Sequence, residues 1–425
     1  MRWSRREFLR ALTLGALASS EADARKRRPR KQTPDYEIHG GPLKLPAWRY
    51  GDSSSAADTV LMFRGNATHT FYGTGPVSSA PKVRWRFRME DFPTMLHGKP
   101  HVWAGTGWTG QASVLGGYVF VGSVGRNLYC FDADNGTLRW RYRASRMFKS
   151  SLCIYQNRLY VGNVDDHLRC FDATTGKVLW RFNTHRDLDS SPVVTGGKLF
   201  IAGESGYTRC FDPMTGKLIW QTFCGGVGPG TPGGSNGCET SPAVADGEVY
   251  VANYDGVLLA LSEKNGKILW KANTGDDTDV SPVISGSRLY IAAEEKNPVL
   301  FCFDRSKKGE VVWQHNNRRG WWSTPAVVGE RVFIGGHDGR MYCFDAKSGK
   351  HVWTYTIGAP TWCSPAVVDD KVIFGCFGKQ LHMLNAKNGK PIWRYDIGAK
   401  SHSAPCVVNG RIYVGCASGW FYCFS

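Results

Sequence analysis

Short apolar runs separated by turn residues recur along most of the chain. One such unit contains residues 191–194, 198–201, 208–211 and 218–220, each apolar throughout or alternating between apolar and polar positions. Gly-Gly, Ser-Gly and Thr-Gly pairs separate these runs, and such pairs favour tight turns between strands. The pattern therefore predicts units of four short antiparallel strands and argues against an all-α fold.

A ten-residue motif gives these units their period. The pattern Phe-Asp-Ala-x-x-Gly-x-x-x-Trp at 131–140 recurs, with variations, at 171–180, 211–220, 261–270, 344–353 and 384–393, and a more diverged copy ends at 313. The repeat tryptophans are Trp85, Trp140, Trp180, Trp220, Trp270, Trp313, Trp353 and Trp393. They are spaced 55, 40, 40, 50, 43, 40 and 40 residues apart, which matches the ~40–45 residues of a four-stranded propeller blade. We expect each tryptophan to anchor two blades, with its indole N–H bonded to a backbone acceptor.

The two ends of the repeat region predict how the ring closes. The last unit supplies strands at 404–408, 411–415 and 420–424 but stops before its tryptophan strand, whereas residues 82–88 form a tryptophan strand without a unit. Joining them completes an eighth blade and removes the exposed strand edges of an open array. The sequence therefore predicts an all-β, eight-bladed β-propeller with four antiparallel strands per blade.

The composition agrees with this fold. Fifty glycines, 16 Trp, 17 Tyr and 21 Phe among 425 residues suit many short aromatic strands joined by tight turns. The 42% hydrophobic and 21% charged content excludes a collagen-like, coiled-coil or wholly disordered chain. No run of 18 or more apolar residues occurs, so we expect no transmembrane helix.

The N-terminus predicts export. Residues 1–24 contain two arginines at 5 and 6, an apolar run at 11–18 and an Ala-x-Ala site that ends at 24. This order resembles a twin-arginine signal peptide. We therefore expect a periplasmic or secreted protein.

A strongly basic run follows at 25–31. It holds six of the 17 net positive charges and the signal holds one, which leaves +10 from residue 32 onward. Such a run suits nucleic acid or an anionic membrane surface. No aromatic residue interleaves with it, which favours a solvated tail, and we expect no nucleic-acid partner.

The repeated motif resembles the PQQ-type propeller repeat of quinoprotein alcohol dehydrogenases and of BamB, an outer-membrane assembly subunit. The resemblance covers residues 82–424 and implies the same ring for residues 81–425. The stretch Met-Phe-Arg-Gly-Asn at 62–66, followed by His69, resembles the lead-in that precedes the first blade in bacterial members of this group. We assign residues 25–80 to a basic tail and an extended lead-in, which we expect to pack on the ring.

Enzymes and non-catalytic scaffolds both carry this repeat, so it leaves the function open. The quinoprotein dehydrogenases usually have two adjacent cysteines, and this chain has no Cys-Cys pair, no haem-attachment motif and a shorter length. These departures favour a non-catalytic scaffold for a protein, peptide or envelope partner, with no cofactor, which we expect to be a monomer. The resemblance keeps a periplasmic dehydrogenase with PQQ and Ca²⁺ as an alternative. We expect no lipoprotein anchor, since the first cysteine is Cys130.

Candidate site residues lie at the mouth of the channel, where they depart from the repeat. The position three residues before the first-strand proline slot holds Thr109, Lys149, Asp189, Glu239, Asp279, Trp322, Trp362 and His402. The three acids supply the oxygen ligands that Ca²⁺ prefers, and the two tryptophans offer a platform for a planar ligand or a glycan. Turns expected on the same face add Asn163, Glu204, Asn253, Glu294 and His337. We favour a solvated rim or a peptide-binding surface over a cofactor pocket, because spacing alone does not show convergence.

Thirteen cysteines in an exported chain suggest disulfides. Six share the slot before the third-strand aromatic residue: Cys130, Cys170, Cys210, Cys302, Cys343 and Cys423. Neighbouring blades hold this slot ~10 Å apart, beyond the ~7 Å Cα reach of a disulfide, so we expect small buried side chains. Cys224 and Cys238 flank a Gly-rich insertion at 225–237, where we expect a disulfide; a zinc site would need further ligands.

Overall fold

The computed structural model describes residues 36–49, 55–96, 98–106, 110–225, 237–294, 299–317 and 319–425. Eight antiparallel sheets form a ring, and the neighbouring first strands of the second to the eighth sheet along the chain contact one another. The predicted all-β, eight-bladed propeller is confirmed. Within these ranges the only helices are single 3-10 turns at Phe63–Gly65 and Arg305–Lys307, and no helix is long and apolar enough to cross a membrane. The predicted signal peptide and basic run lie outside the described residues.

Each blade runs from a short first strand at the channel to an outer fourth strand, and we number the blades 1 to 8 along the chain. The first strands are Ser113–Leu115, Cys153–Tyr155, Val193–Thr195, Ala243–Ala245, Val283–Ser285, Ala326–Val328, Ala366–Val368 and Cys406–Val408. The second strands are Tyr118–Gly122, Arg158–Asn163, Lys198–Ile201, Glu248–Ala252, Arg288–Ala292, Arg331–Gly335, Lys371–Gly375 and Arg411–Gly415. The third strands are Asn127–Asp132, His167–Asp172, Tyr207–Phe211, Val257–Ser262, Val299–Asp304, Arg340–Asp345, Gln380–Asn385 and Trp420–Phe424. The fourth strands are Leu138–Arg143, Val178–Asn183, Leu218–Phe223, Ile268–Asn273, Glu310–Asn316, His351–Thr356, Pro391–Asp396 and, for blade 8, Val83–Arg88.

The ring closes as the sequence predicts. Val83–Arg88 pairs antiparallel with Trp420–Phe424, and Trp85 lies opposite Cys423 in the register. The N-terminal strand therefore completes the blade that the C-terminal strands begin.

Two elements lie outside the repeat. Tyr36–Ile38 pairs with the fourth strand of blade 1 as a fifth strand, so the assignment of 25–80 to a tail and lead-in missed a sheet strand that covers an exposed edge. Phe92–Leu96 and Lys99–Trp103 form a hairpin. This hairpin accounts for the long first interval between repeat tryptophans.

Six of the repeat tryptophans bond their own blade to the next one, as predicted. Trp140 Nε1 donates to Ala173 O at 3.0 Å, and the same bond to the following blade is made by Trp85, Trp180, Trp220, Trp313 and Trp353. The turn glycine of the following blade packs against the ring, because a Cβ on Gly176 would lie 2.6 Å from Trp140 Cε3. Gly176 also has a φ of +73°, which favours glycine. One residue type therefore serves both the turn and the contact between blades.

The cysteines are buried side chains of the core. All 13 are free thiols, including the six in the third-strand slot. Cys224 and Cys238 are neighbours: burial raises the pKa of Cys238 well above its usual value, and nearby Cys224 raises it further. The two thiols are not bonded in the structure, so their disulfide stays a prediction.

The lead-in, residues 55–80, packs on the ring from inside the channel. Its contacts with the first strands of blades 1, 2, 4, 5, 6 and 8 are Val60–Val114, Leu61–Ile154, Ala67–Val244, Thr68–Ile284, Tyr72–Val327 and Thr74–Val407. These are bonds to backbone groups on the channel-facing edge of each first strand, which no strand of its own blade pairs. Buried backbone groups need such partners. The lead-in therefore completes the sheets as well as filling the channel.

Candidate binding site at the channel mouth

One face of the ring gathers the loops before the first strands and the turns between second and third strands. Glu204 N donates to Asp187 O at 3.1 Å, and Glu294 N donates to Asp277 O at 3.0 Å. We call this side the mouth face. Of the predicted mouth positions, Thr109 lies outside the described residues. The others form an acidic half in blades 2 to 5 and an aromatic half in blades 6 to 8.

The lead-in supplies the floor beneath the mouth. Arg64, which is 2% exposed, donates to Thr324 O at 2.5 Å and Pro365 O at 3.0 Å, just before the first strands of blades 6 and 7. His69 Nδ1 donates to Pro282 O at 2.7 Å. Burial lowers the pKa of His69 to about 4, and the charge of Arg64 adds to this effect. His69 is therefore neutral at physiological pH, and Arg64 holds the positive charge.

A belt of hydroxyl groups links the blades between this floor and the mouth. Ser151 N donates to Ser191 Oγ at 3.0 Å, and Ser191 N donates to Ser241 Oγ at 2.9 Å. The same bond continues through Ser281, Thr324 and Ser364. Sequence reasoning used only the proline that follows most of these residues as a strand signal. The recurring Ser-Pro and Thr-Pro pairs were the signal that could have revealed the belt.

The acidic half contains a buried ion pair between blades 2 and 3. Lys149 Nζ lies 2.5 Å from Asp189 Oδ2, and both side chains are less than one-tenth exposed. Burial disfavours the ammonium, but the carboxylates of Asp189, Glu239 and Asp187 together raise the pKa of Lys149. Burial and the charge of Asp189 raise the pKa of Asp187 to about 7. Lys149 therefore stays charged, whereas Asp187 titrates near neutral pH.

Two carboxyl groups, those of Glu204 and Glu239, interact between blades 3 and 4. Burial raises the pKa of Glu204 well above its usual value, and the charge of Glu239 and a hydrogen bond with it add to the shift. Tyr254 Oη donates to Glu204 Oε1 at 2.6 Å. Asp279 acts on Tyr254 as well, since its charge contributes to the raised pKa of that phenol. The predicted acids Glu239 and Asp279 thus belong to one interacting cluster with Glu204.

The aromatic half is a ledge of stacked rings. The ring centroids of Trp322 and Trp362 lie 4.3 Å apart, and Trp362 Nε1 donates to His337 Nδ1 at 2.9 Å. Phe377 lies 4.7 Å from both Trp362 and His402. Sequence reasoning missed Phe377, although it occupies in blade 7 the turn position that His337 has in blade 6. We call these five residues the aromatic ledge; all except Trp322 are half-buried.

The two halves adjoin at blade 6. A Cβ on Gly320 would lie 1.9 Å from Glu294 O and 3.0 Å from Trp322 Nε1. Glycine at this position lets the loop of the aromatic half pass against the acidic turn of blade 5.

Two further turn residues predicted on this face hold neighbouring loops. Asn163 Nδ2 donates to Arg146 O at 3.1 Å, and Asn253 Nδ2 donates to Cys224 O at 2.7 Å.

These residues fit a calcium ion poorly. Lys149 already neutralises Asp189, and the raised pKa values of Asp187 and Glu204 favour their uncharged forms. Within the described residues, no three His, Cys, Asp or Glu side chains are grouped so as to hold a metal ion. The predicted calcium site of Asp189, Glu239 and Asp279, and the PQQ that would accompany it, stay predictions.

A comparison with protein families assigns the chain to one of them. The model described as outer membrane protein assembly factor BamB matches residues 79–221, 164–300 and 296–419. The chain belongs to this family. The match to the BamB family spans nearly the whole ring, from the closing strand to blade 8. A comparison with curated proteins finds no match.

Solved structures agree with the BamB-family fold and include enzymes. BamB from Moraxella catarrhalis matches with a TM-score of 0.66 and 18% identity, over 81% of this chain and 99% of that one. Quinohemoprotein alcohol dehydrogenase from Comamonas testosteroni matches with a TM-score of 0.68 and 15% identity, over 88% and 81%. A europium-containing methanol dehydrogenase matches with a TM-score of 0.67 and 14% identity, over 87% and 98%. Both a BamB and two dehydrogenases share the fold, and likeness at this identity shows the fold alone.

Proposed function

We propose that this protein is a non-catalytic binding scaffold of the cell envelope, and that its mouth face holds a basic segment of a protein partner. The observation that carries the proposal is the position of the acidic half beside the half-buried aromatic ledge. The acidic half holds more carboxyl groups than the single cation Lys149 offsets, so its carboxylates attract a further cation, and aromatic faces attract it as well. The chain carries +10 from residue 32 onward, so a local acidic surface at the mouth would favour a basic partner there.

Family membership supports the setting of this proposal. The matching family is described by its role in outer membrane assembly, which suggests protein partners in the envelope and a periplasmic location. The ledge also carries one cation of its own, since Lys400 Nζ lies 4.9 Å from the centroid of Phe377. A second cationic group from a partner would meet the same kind of aromatic face.

A titration with charged peptides tests the proposal. Labelled oligolysine is added to the purified protein and followed by fluorescence anisotropy, with oligoglutamate as the charge control. We expect saturable oligolysine binding that weakens with added salt and falls about tenfold in Glu239→Gln or Trp362→Ala. The matched control is Glu330→Gln, since Glu330 lies in blade 6 on the opposite face, and binding should persist. Equal binding of oligoglutamate, or equal loss in the control, would show the proposal to be wrong.

A PQQ-dependent dehydrogenase is the second candidate. The observation that favours it is the carboxyl group of Asp187, with a pKa of about 7, because groups that titrate near neutral pH are typical of acid–base sites. The test is dye-linked alcohol oxidation and melting temperature in the presence of PQQ and Ca²⁺. Activity that is lost in Asp187→Asn, together with ligand-dependent stabilisation, would favour the enzyme; the absence of both would reject it.

A further inference from the structure

A second recess lies on the outer part of the mouth face, between blades 5 and 6. It has a volume of about 590 Å³ and is lined by Asn317 and Trp321 from the loop before blade 6 and by Asp338, Arg340 and Tyr342 from the turn and third strand of that blade. We call it the blade 5–6 groove. It is separate from the channel, since Trp321 faces it whereas the next residue, Trp322, belongs to the aromatic ledge.

Three buried polar atoms of residues that line this groove have no hydrogen-bond partner among the described residues: Trp321 Nε1, Asn317 Nδ2 and Asp338 Oδ1. Trp321 is 1% exposed and Asn317 is 7% exposed. Leaving one buried donor or acceptor unpaired costs about 1–3 kcal/mol. Two donors and one acceptor in a single recess therefore indicate a polar occupant that accepts at least two hydrogen bonds and donates one.

A glycine beside two of these atoms allows their close approach to the backbone. A Cβ on Gly336 would lie 2.3 Å from Asp338 Oδ1 and 2.7 Å from Asn317 Nδ2. Blades 2 and 4 fill the same turn position with Asn163 and Asn253, whose side chains bond to the neighbouring loop. In blade 6 the asparagine, Asn317, lies instead in the loop before the blade, where its Oδ1 accepts from Arg319 N at 3.0 Å. The Nδ2 group is thereby turned toward Gly336 and the groove.

The walls of the groove are aromatic and its rim is basic. Tyr342 lies 5.2 Å from Trp321 in an edge arrangement, and His315 stacks at 4.4 Å on Phe344 beside them. Exposed Arg319 and Arg340 lie at the rim. Asp338 is the only carboxylate among the lining residues; its Oδ2 accepts from Tyr342 Oη and lies 3.8 Å from Arg340, whereas its Oδ1 has no partner among the described residues. Half-buried rings offer a flat apolar surface, and guanidinium groups bind carboxylates in preference to neutral groups.

We propose that the blade 5–6 groove binds an acidic saccharide, a sugar ring that carries a carboxylate. The ring hydroxyls accept from Trp321 and Asn317 and donate to Asp338. The C–H face of the sugar packs on Tyr342, and the carboxylate pairs with Arg340. This site is independent of the proposed peptide binding at the mouth, and it differs from the glycan platform that the sequence suggested at Trp322 and Trp362.

Saturation-transfer NMR and calorimetry with D-glucuronate and with an oligomer of galacturonate test this site on the full chain. D-glucose serves as the neutral probe. We expect saturable uronate binding, at least about tenfold tighter than glucose binding, and a loss of about tenfold or more in Gly336→Ala and in Arg340→Gln. Gly336 lacks a positive φ, so alanine adds no backbone strain there, and its Cβ would displace Asp338 Oδ1 and Asn317 Nδ2 from their positions.

Two controls locate the site. Arg331→Gln removes an arginine from the opposite face of the same blade, and Trp362→Ala removes the centre of the aromatic ledge; both should leave uronate binding unchanged. Melting temperatures confirm that each variant is folded. The proposal is overturned if neither uronate probe binds, if glucose binds equally well, or if Trp362→Ala abolishes binding while Gly336→Ala does not.

Discussion

Lys149 Nζ lies 2.5 Å from Asp189 Oδ2, and this ion pair joins blades 2 and 3 inside the mouth. Lys149→Met leaves Asp189 as a buried carboxylate without its main counter-charge. Breaking a buried pair from one side costs about 3–5 kcal/mol, so we expect a loss of that size in the free energy of unfolding, measured by urea denaturation.

The double variant Lys149→Met/Asp189→Leu is the control for this pair. It removes both charges and keeps apolar volume, so we expect it to recover most of the lost stability. A loss below about 1 kcal/mol in the single variant would mean that the pair is solvated, as surface pairs are.

Gly176 gives a test of blade-to-blade packing. In Gly176→Ala the new Cβ meets Trp140 at 2.6 Å, with the backbone at a φ of +73°. Gly117→Ala is the matched control, because Gly117 has a φ of +78° and nothing within 4 Å of its Cβ position. We expect about 1 kcal/mol of destabilisation in the control from backbone strain and about 1–3 kcal/mol more in Gly176→Ala from the clash. Equal losses of stability in the two variants would show that the close contact between Gly176 and Trp140 adds no destabilisation of its own.

Asp187 predicts a pH dependence of stability. Its pKa rises from 3.8 to about 7 in the folded protein, so its stabilising contribution is complete below the ordinary pKa and is lost as pH rises through about 7. We expect Asp187→Asn to match the wild type only near pH 3.5, to melt progressively higher than the wild type between about pH 4 and pH 7, and to melt a few degrees higher near pH 8. Asp370→Asn, on the opposite face, is the control for the substitution itself. A constant difference between Asp187→Asn and the wild type at both pH values would contradict this assignment.

Tyr72 tests the role of the lead-in. Its hydroxyl accepts from Val327 N at 2.7 Å at the channel-facing edge of blade 6. Tyr72→Phe leaves that buried N–H unpaired, so we expect a loss of about 1–3 kcal/mol in the free energy of unfolding. Tyr395→Phe, on the outer fourth strand of blade 7, is the control and should change stability little. No loss in Tyr72→Phe would mean that the lead-in is not held in the channel as described.

The sequence predicts those features of the fold that recur in every copy of the repeat. Strand order, the ring closure by residues 82–88 and the tryptophan anchors all follow from one period, because each copy reports the same local environment. Gly176 illustrates the limit: its turn conformation was predictable, but its contact with Trp140 depends on the next blade in space.

The parts that the sequence did not predict are those without a repeat. The lead-in crosses the channel by contacts such as Tyr72–Val327, which join residues far apart in sequence and leave no periodic signal. Lys149 and Asp189 occupy the same slot of adjacent blades, so aligning the blades brings their opposite charges together. That alignment was available from the sequence, but burial and the 2.5 Å contact were needed to show that the two side chains form an ion pair.

Photo-cross-linking in the cells that make this protein tests the central claim most directly. A photoreactive amino acid replaces Trp362 on the mouth face or, as the matched control, Asp370 on the opposite face of the same blade. The account predicts that Trp362 gives a discrete adduct with an envelope protein, that the cross-linked peptide of that partner is basic, and that Asp370 gives none. An adduct from Asp370 alone, or a cross-linked segment without basic residues, would contradict it.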